Sequence, residues 1–336
     1  MGRLRRSSWV FFVLPCSFFS FFLDVPLVTA ESPVHTYSIV ARDPATGELG
    51  VAVQSHWFSV GSIVTWAEAG VGAVATQSLV DPGYGGKLLA RLKAGAAPAD
   101  ALAQLVQADA QRDVRQVAVV DAQGRVAAHT GVKAIAAAGH RVGAQYSVQA
   151  NLMASDRVWP SMAEAYETTT GDLADRLLAA LDAAQAAGGD IRGKQSAALL
   201  IVRAESSGRP WGGADRVFDL RVEDHPQPLA ELRRLVRLQR AYNRANRGDE
   251  LLSEQKVEEA LREYAAAAAI APEIVELPFW HAVTLVSIGR EAEARPLFEA
   301  VFANEPAWAD LVPRLPASGL LPDDPALIAR IVALRR

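Results

Sequence analysis

Thr36 is the residue whose type and setting most directly suggest covalent chemistry. It opens the apolar, β-branched run 36–42, which passes through Asp43-Pro44-Ala45-Thr46-Gly47 into a second such run over 49–54. A threonine hydroxyl is a weak nucleophile unless a base lies beside it. A free α-amine on the same residue, with a pKa of about 8, can take that proton directly or through one water. This chemistry asks two things: Thr36 must become the first residue of the chain, and a neighbouring strand must orient it. Ser38 is the next residue on the same side of the strand. Gln77, Asp81, Tyr84, Asn151, Arg192 and Gln195 are polar residues at strand ends or glycine-rich turns, where side chains can face a cleft. Asn151 and Gln77 are candidate donors to an oxyanion. The helix expected after Gly85-Gly86 offers an N-terminus to a carboxylate.

The elements that must hold these residues read as mixed α and β. Runs 36–42 and 49–54 form a hairpin about their proline–glycine turn. Runs 62–66 and 71–76 read as two further strands. Helices are expected over 87–94 and 98–108, the second opening on a proline suited to a first helical position. A second hairpin spans 116–120 and 125–130, and a short strand follows at 146–150. Helical spacing returns over 162–166 and 173–187, and strands at 197–202 and 217–222 close the domain. This order predicts two packed sheets with helices outside them, not a regular βαβ alternation.

Asp224-His225-Pro226-Gln227-Pro228 reads as a linker, because prolines this close stop both helix and strand. Beyond it the chain is helical and repeats itself: Ala260, Tyr264 and Pro272 recur as Ala294, Phe298 and Pro306. A small residue, an aromatic and a helix-ending proline at that spacing mark tetratricopeptide-like repeats over 229–336. Arg233, Arg237, Arg240, Arg244 and Arg247 stripe one face of the first helix. They are expected to be a solvated face rather than a polyanion site, with Leu232, Leu235, Val236 and Leu238 against the neighbouring domain.

Residues 1–30 have the parts of a cleaved secretory signal: Arg3, Arg5 and Arg6, an apolar run over 10–23, and Val28-Thr29-Ala30. Pro15 and Asp24 interrupt a run already short of the roughly 20 apolar residues that a spanning helix needs. Cleavage removes the only cysteine, Cys16, so an exported chain has neither disulfide nor thiol nucleophile. Roughly 300 residues then remain, enough for two domains. The net charge of −4 argues against nucleic acid as a partner. Gly70-Val71-Gly72-Ala73-Val74-Ala75 leads into a strand rather than a helix, so it is not a dinucleotide fingerprint. The six histidines show no metal-binding spacing, and neither metal nor cofactor is expected.

The segments HTYSIVARDPATGELGVAVQS, AGVGAVATQ, DPGYGG, GGDIRGKQSAALLIV and DLRVEDHPQPLAELRRL resemble the uncharacterised bacterial family called domain of unknown function 1028. The resemblance runs from about Thr36 to Leu235. It implies an α+β fold: an N-terminal-nucleophile (Ntn) hydrolase-like αββα sandwich over 36–223, then the small all-α tetratricopeptide-like solenoid. It places Thr36 at the nucleophile position and Ser55 where that fold sets orienting groups. Proteasome-like members end the second strand with aspartate and carry lysine on the third; here Gln54 stands in the first place and 62–66 holds no lysine. His56 is the nearest basic residue. The expected catalytic set is Thr36, Ser55 and Asn151, with His56, Gln77, Asp81, Tyr84, Arg192 and Gln195 binding substrate.

The expected function is an exported amide hydrolase acting on a small amide, peptide or cell-wall fragment. The alternative is a catalytically silent scaffold that binds a peptide, peptidoglycan or a protein. The repeats are expected to bind a protein or peptidoglycan partner, or to mediate self-association. Cleavage after Ala30 leaves the leader 31–35 ahead of Thr36, so amine-assisted chemistry requires a second cut between His35 and Thr36.

Overall fold

The computed structural model describes residues 2, 33–34, 36–209 and 213–335. The signal-peptide reading and most of the leader lie outside them. The described residues from 33 onward belong to one compact unit. None of the helices described is long and apolar enough to cross a membrane.

Two antiparallel sheets form the centre. The first holds β1 (Pro33–Val34), β5 (Gly72–Leu79), β6 (Arg115–Asp121) and β7 (Val126–Thr130) in that order, with β4 (Thr65–Glu68) also paired to β5. The second runs β11 (Arg216–Val222), β10 (Ser196–Val202), β3 (Leu49–Ser55), β2 (Thr36–Arg42), β9 (Tyr146–Ala150) and β8 (Gly139–Gly143). Side chains alternate across a strand, and the burial partners follow that period. In β2, Val40 packs with Val51 and Val53 of β3 and with Ala73, Ala75, Ala118 and Val120 of the other sheet. Tyr37, Ile39 and Ala41 point the opposite way, onto α4 (Val158–Thr168) and α5 (Leu173–Ala186). Val74, Val117 and Val119 turn from the first sheet onto α2 (Gly83–Lys93) and α3 (Pro98–Ala108). The molecule is therefore layered: helix pair, sheet, sheet, helix pair. Each fully buried Leu or Val in these layers contributes about 1.5–3 kcal/mol by leaving water.

The β2–β3 hairpin sets the register that matters for the site. Asp43 accepts the backbone N–H of Ala45 at 2.7 Å and of Thr46 at 3.2 Å, tightening the turn. Gly47 sits at φ +76°, and a Cβ there lies 2.8 Å from that of Ala204, so any other residue is both strained and crowded. With the turn fixed, Thr36 pairs with Ser55 and both side chains share one face.

Several expectations change. The run 62–66 is not a strand: Gly61–Val64 make one helical turn, α1, and β4 begins at Thr65. Val60 and Val64, spaced i and i+4, are both buried between the sheets. Periodicity alone does not separate helix from strand in so short an apolar run. The glycines at 83–86 lie inside the first turn of α2 rather than ahead of it, and the Asp81 carboxylate already takes the Gly83 N–H there. Gly85 is there because the Trp66 ring occupies the space where a Cβ would stand. β8, an exposed edge strand bounded by two glycines, carries no alternating pattern and goes unread in the sequence.

After His225, whose N–H donates to the Gln195 carbonyl at 2.8 Å, α6 (Pro228–Ser253) lies along the second sheet. Leu229, Leu232 and Val236 join the core beneath α5. The arginine stripe is occupied by carboxylates rather than left open. Arg233 pairs with Asp182, Arg240 with Asp172 at 2.7 Å and Asp175 at 2.9 Å, and Arg244 with Glu263 at 2.9 Å. Exposed pairs of this kind contribute about 0–1 kcal/mol each, so they register α6 more than they stabilise it.

The C-terminal helical region continues with α7 (Val257–Ile270), α8 (Glu276–Ser287), α9 (Glu291–Asn304) and α10 (Pro325–Val332). Ala260, Tyr264, Ala294 and Phe298 are all buried in its core, where Phe279 meets Phe298 edge-on at 5.8 Å.

Candidate functional site around Thr36

Thr36, Ser38 and Ser55 of the second sheet face Gln77 and Gln116 of the first, and Gln149 and Asn151 complete the layer from β9 and its end. All seven are fully buried. Buried amides and hydroxyls are stable only when bonded, and this cluster is bonded throughout. Thr36 Oγ1 donates to Ser55 Oγ at 3.1 Å. The Thr36 carbonyl accepts from the Asn151 N–H at 3.1 Å, Gln77 Nε2 at 3.1 Å and Asn151 Nδ2 at 3.4 Å. Ser38 Oγ donates to Gln77 Oε1 at 2.6 Å and accepts from Gln149 Nε2 at 2.6 Å.

Gln116 is the hub. Its Oε1 accepts from Gln77 Nε2 at 2.7 Å and Asn151 Nδ2 at 2.9 Å. Its Nε2 shares two hydrogens among three acceptors, the Ala150 carbonyl at 2.9 Å, Thr130 Oγ1 at 2.9 Å and the Gly139 carbonyl at 3.1 Å. One amide thus joins both sheets and the β8 edge. Every partner named here is neutral, so the layer fixes geometry without supplying charge.

Gln77 and Asn151 do lie at Thr36, but they hold its own carbonyl. In this arrangement their role is to position Thr36, and an incoming oxyanion meets amides already engaged. Ser55 stands against the Thr36 hydroxyl, where the sequence places it. Beside Ser55, the Gln195 N–H donates to the Ser55 carbonyl at 3.0 Å, and Gln195 Nε2 reaches Asp224 at 3.2 Å. Asp190, almost fully buried, accepts from the His56 N–H at 3.2 Å and pairs with Arg192 at 2.7 Å. His56, Arg192 and Gln195 therefore gather at the same end of β3, the first two bonded to Asp190. The adjoining loops expose Phe58 and Ile191, 63% and 65% accessible.

Asp81 and Tyr84 belong elsewhere. Asp81, two residues ahead of α2, accepts the Gly83 N–H at 2.8 Å. Tyr84 lies in the outer layer between α2 and the sheet, donating to Asp109 at 3.1 Å. Burial, with Asp109 adjacent, pushes its phenol well above the usual range, so it stays a donor. Burial, with Asp190 nearby, does the same to Tyr37 on the helix side of β2.

Sequence reasoning missed Gln116, Gln149 and Asp190. Gln116 and Gln149 carried one signal, a glutamine within an otherwise apolar strand; Asp190, in a glycine-rich turn, carried none. Among the described residues no three histidine, cysteine or acidic side chains come together as a metal site.

A layered α/β protein, with two antiparallel sheets closing on a neutral amide–hydroxyl cluster, is the class that this fold and site define. The model of the family of unknown function DUF1028 matches residues 36–232, and the chain belongs to that family. The crystal structure of protein SPO2555 from Silicibacter pomeroyi, of the same family model, is similar at 31% identity and a TM-score of 0.54. The similarity covers 60% of this chain and 84% of that one. No curated protein matches. The family match ends within α6, so α7 to α10 lie beyond it.

Proposed function

We propose that this chain is an exported amide hydrolase of the Ntn type, acting through Thr36. The Thr36 hydroxyl attacks an amide carbonyl while the α-amine of the same residue takes the proton and passes it to the leaving amine. The acyl–threonine ester is then hydrolysed by water, restoring the hydroxyl. A small amide, a peptide or a cell-wall fragment fits this reaction, and the tetratricopeptide-like region serves as an interaction tail.

The observation that carries this reading is the clamp on Thr36. Ser55, Gln77 and Asn151 hold its hydroxyl and its carbonyl from three different strands or strand ends. Holding a nucleophile before the reaction lowers the cost of reaching the transition state. The reading also requires the chain ahead of Thr36 to leave. At present Pro33–Val34 pair with Ser78–Leu79 of β5. A second reading, a silent scaffold that binds peptide, peptidoglycan or protein, is favoured by the neutrality and full burial of the same cluster.

Intact-mass measurement on protein recovered from the periplasm tests the first reading. A chain beginning at Thr36, with acylation by an amide-mimicking electrophile that is lost in Thr36→Ala, supports hydrolysis. A mature chain that retains Val34 and His35 and never acylates leaves the scaffold reading.

A further inference from the structure

The helical region holds a cavity of about 600 Å³ between α6, α7 and α8, with Gly319 and Leu320 at its lip. Its aromatic lining is Tyr242, Tyr264 and Trp280, and its charges are Asp249 and Glu276. No lysine, arginine or histidine lines it. Both carboxylates are oriented by neutral donors. Glu276 accepts from the Tyr242 hydroxyl at 3.0 Å and from Trp280 Nε1 at 3.2 Å, and Asp249 accepts from the Tyr264 hydroxyl at 2.6 Å. Burial and the adjacent carboxylates push both phenols up, so they remain protonated donors.

Neutral donors fix a carboxylate in place without cancelling its charge, and each carboxylate keeps lone pairs for further partners. The contrast with the rest of the tail is informative. On α6 and α7 Glu250 and Glu263 are met by Arg247 and Arg244, and Glu273 in the turn before α8 is met by Arg237. The cavity between α9 and α10 carries its own cations, Arg295 and Arg330, beside Glu291. Asp249 and Glu276 form no ion pair among the described residues, so both charges are open to a cation from outside.

We propose that this cavity binds a lysine or arginine side chain of a peptide segment. The ammonium or guanidinium group bonds to the free lone pairs of Glu276 and Asp249 and lies over the Trp280 and tyrosine rings, an arrangement that strengthens as water is excluded. The aliphatic stem of the side chain packs on Leu277, Val283 and the exposed Leu320. The volume exceeds one such side chain, so a flanking residue enters with it. This site is independent of the chemistry at Thr36.

Fluorescein-labelled octapeptide pools, random except for a central Lys, Arg, norleucine or Glu, test it against the full-length protein by fluorescence anisotropy. The Lys and Arg pools bind at least about tenfold more tightly than the norleucine pool, more weakly as salt rises, and the Glu pool does not bind. Glu276→Gln and Asp249→Asn, each near-isosteric, remove that preference while thermal melting confirms the fold. Equal binding of Lys and norleucine pools, binding of none, or a preference that survives both substitutions overturns the proposal.

Discussion

Gln116→Met is the substitution that most directly probes the layer holding Thr36. Methionine fills a similar volume and removes every polar atom of the side chain. Five polar contacts go with it: two into Oε1, and three from Nε2 that share its two hydrogens. Not all of their partners become orphans. Gln77 Nε2 keeps the Thr36 carbonyl at 3.1 Å, and Asn151 Nδ2 keeps the same carbonyl, although at 3.4 Å. The Gly139 and Ala150 carbonyls sit in a paired ladder, while Thr130 Oγ1 still has His140 at 2.8 Å. About two groups are left poorly satisfied inside a fully buried layer, at about 1–3 kcal/mol each. Shared polarisation within the network adds to that cost. The expected loss is therefore about 3–5 kcal/mol, read as a lower urea midpoint by circular dichroism. Gln123→Met, on the exposed turn between β6 and β7, is the control and is expected to stay within about 0.5 kcal/mol. A Gln116→Met loss below about 1 kcal/mol, with unchanged denaturant slope, refutes the claim that this amide organises the layer.

Two other substitutions bear on stability. Gly47→Ala places a Cβ 2.8 Å from Ala204 at a φ of +76°, and is expected to lower stability by about 1–2 kcal/mol in the same urea assay; a neutral result removes the hairpin argument. His281 is held below the usual histidine range by burial and then by Arg290. The unfolded chain therefore accepts a proton near pH 6.5 before the folded one does, so stability is full above that pH and falls as pH drops toward the folded value. His281→Phe retains a ring beside Tyr264, 5.7 Å away in the native pair, and removes this dependence. Melting curves taken between about pH 7.5 and 5.5 are expected to fall less steeply for the variant, and parallel slopes contradict the assignment.

Much of this layered fold is legible because strands covered on both faces must be apolar where they meet a core. The runs at 36–42, 49–55 and 196–202 show that directly. What stays hidden is short or at an edge. A four-residue turn of helix at Gly61 has too few residues to display its period, and β8 is an exposed ribbon with nothing apolar to bury. Thr36, Ser55, Gln77 and Asn151 could be marked as polar residues at strand ends. Their shared partner, Gln116, could not, because its role depends on which strand lies across the gap between sheets. Tyr84 shows the converse. Its type and its glycine-rich surroundings suggest a cleft, but the alternation of β5 and the seating of α2 place it in the outer layer.

The anchoring of Thr36 also bears on how the two functional readings are to be separated. Ser55, Gln77 and Asn151, which bond its hydroxyl and carbonyl, come from β3, from β5 and from the end of β9, all of which follow it in the chain. The contacts of Pro33–Val34 with β5 lie at Ser78 and Leu79, beyond Gln77. Removing the chain ahead of Thr36 therefore leaves the clamp on its hydroxyl and carbonyl in place. The change falls on its nitrogen, which goes from an amide to a basic amine with a pKa of about 8. A hydrolase and a scaffold built on this cluster would have almost the same side-chain geometry. They differ in one bond, between His35 and Thr36, so the chemical state of that bond is the observation that decides between them.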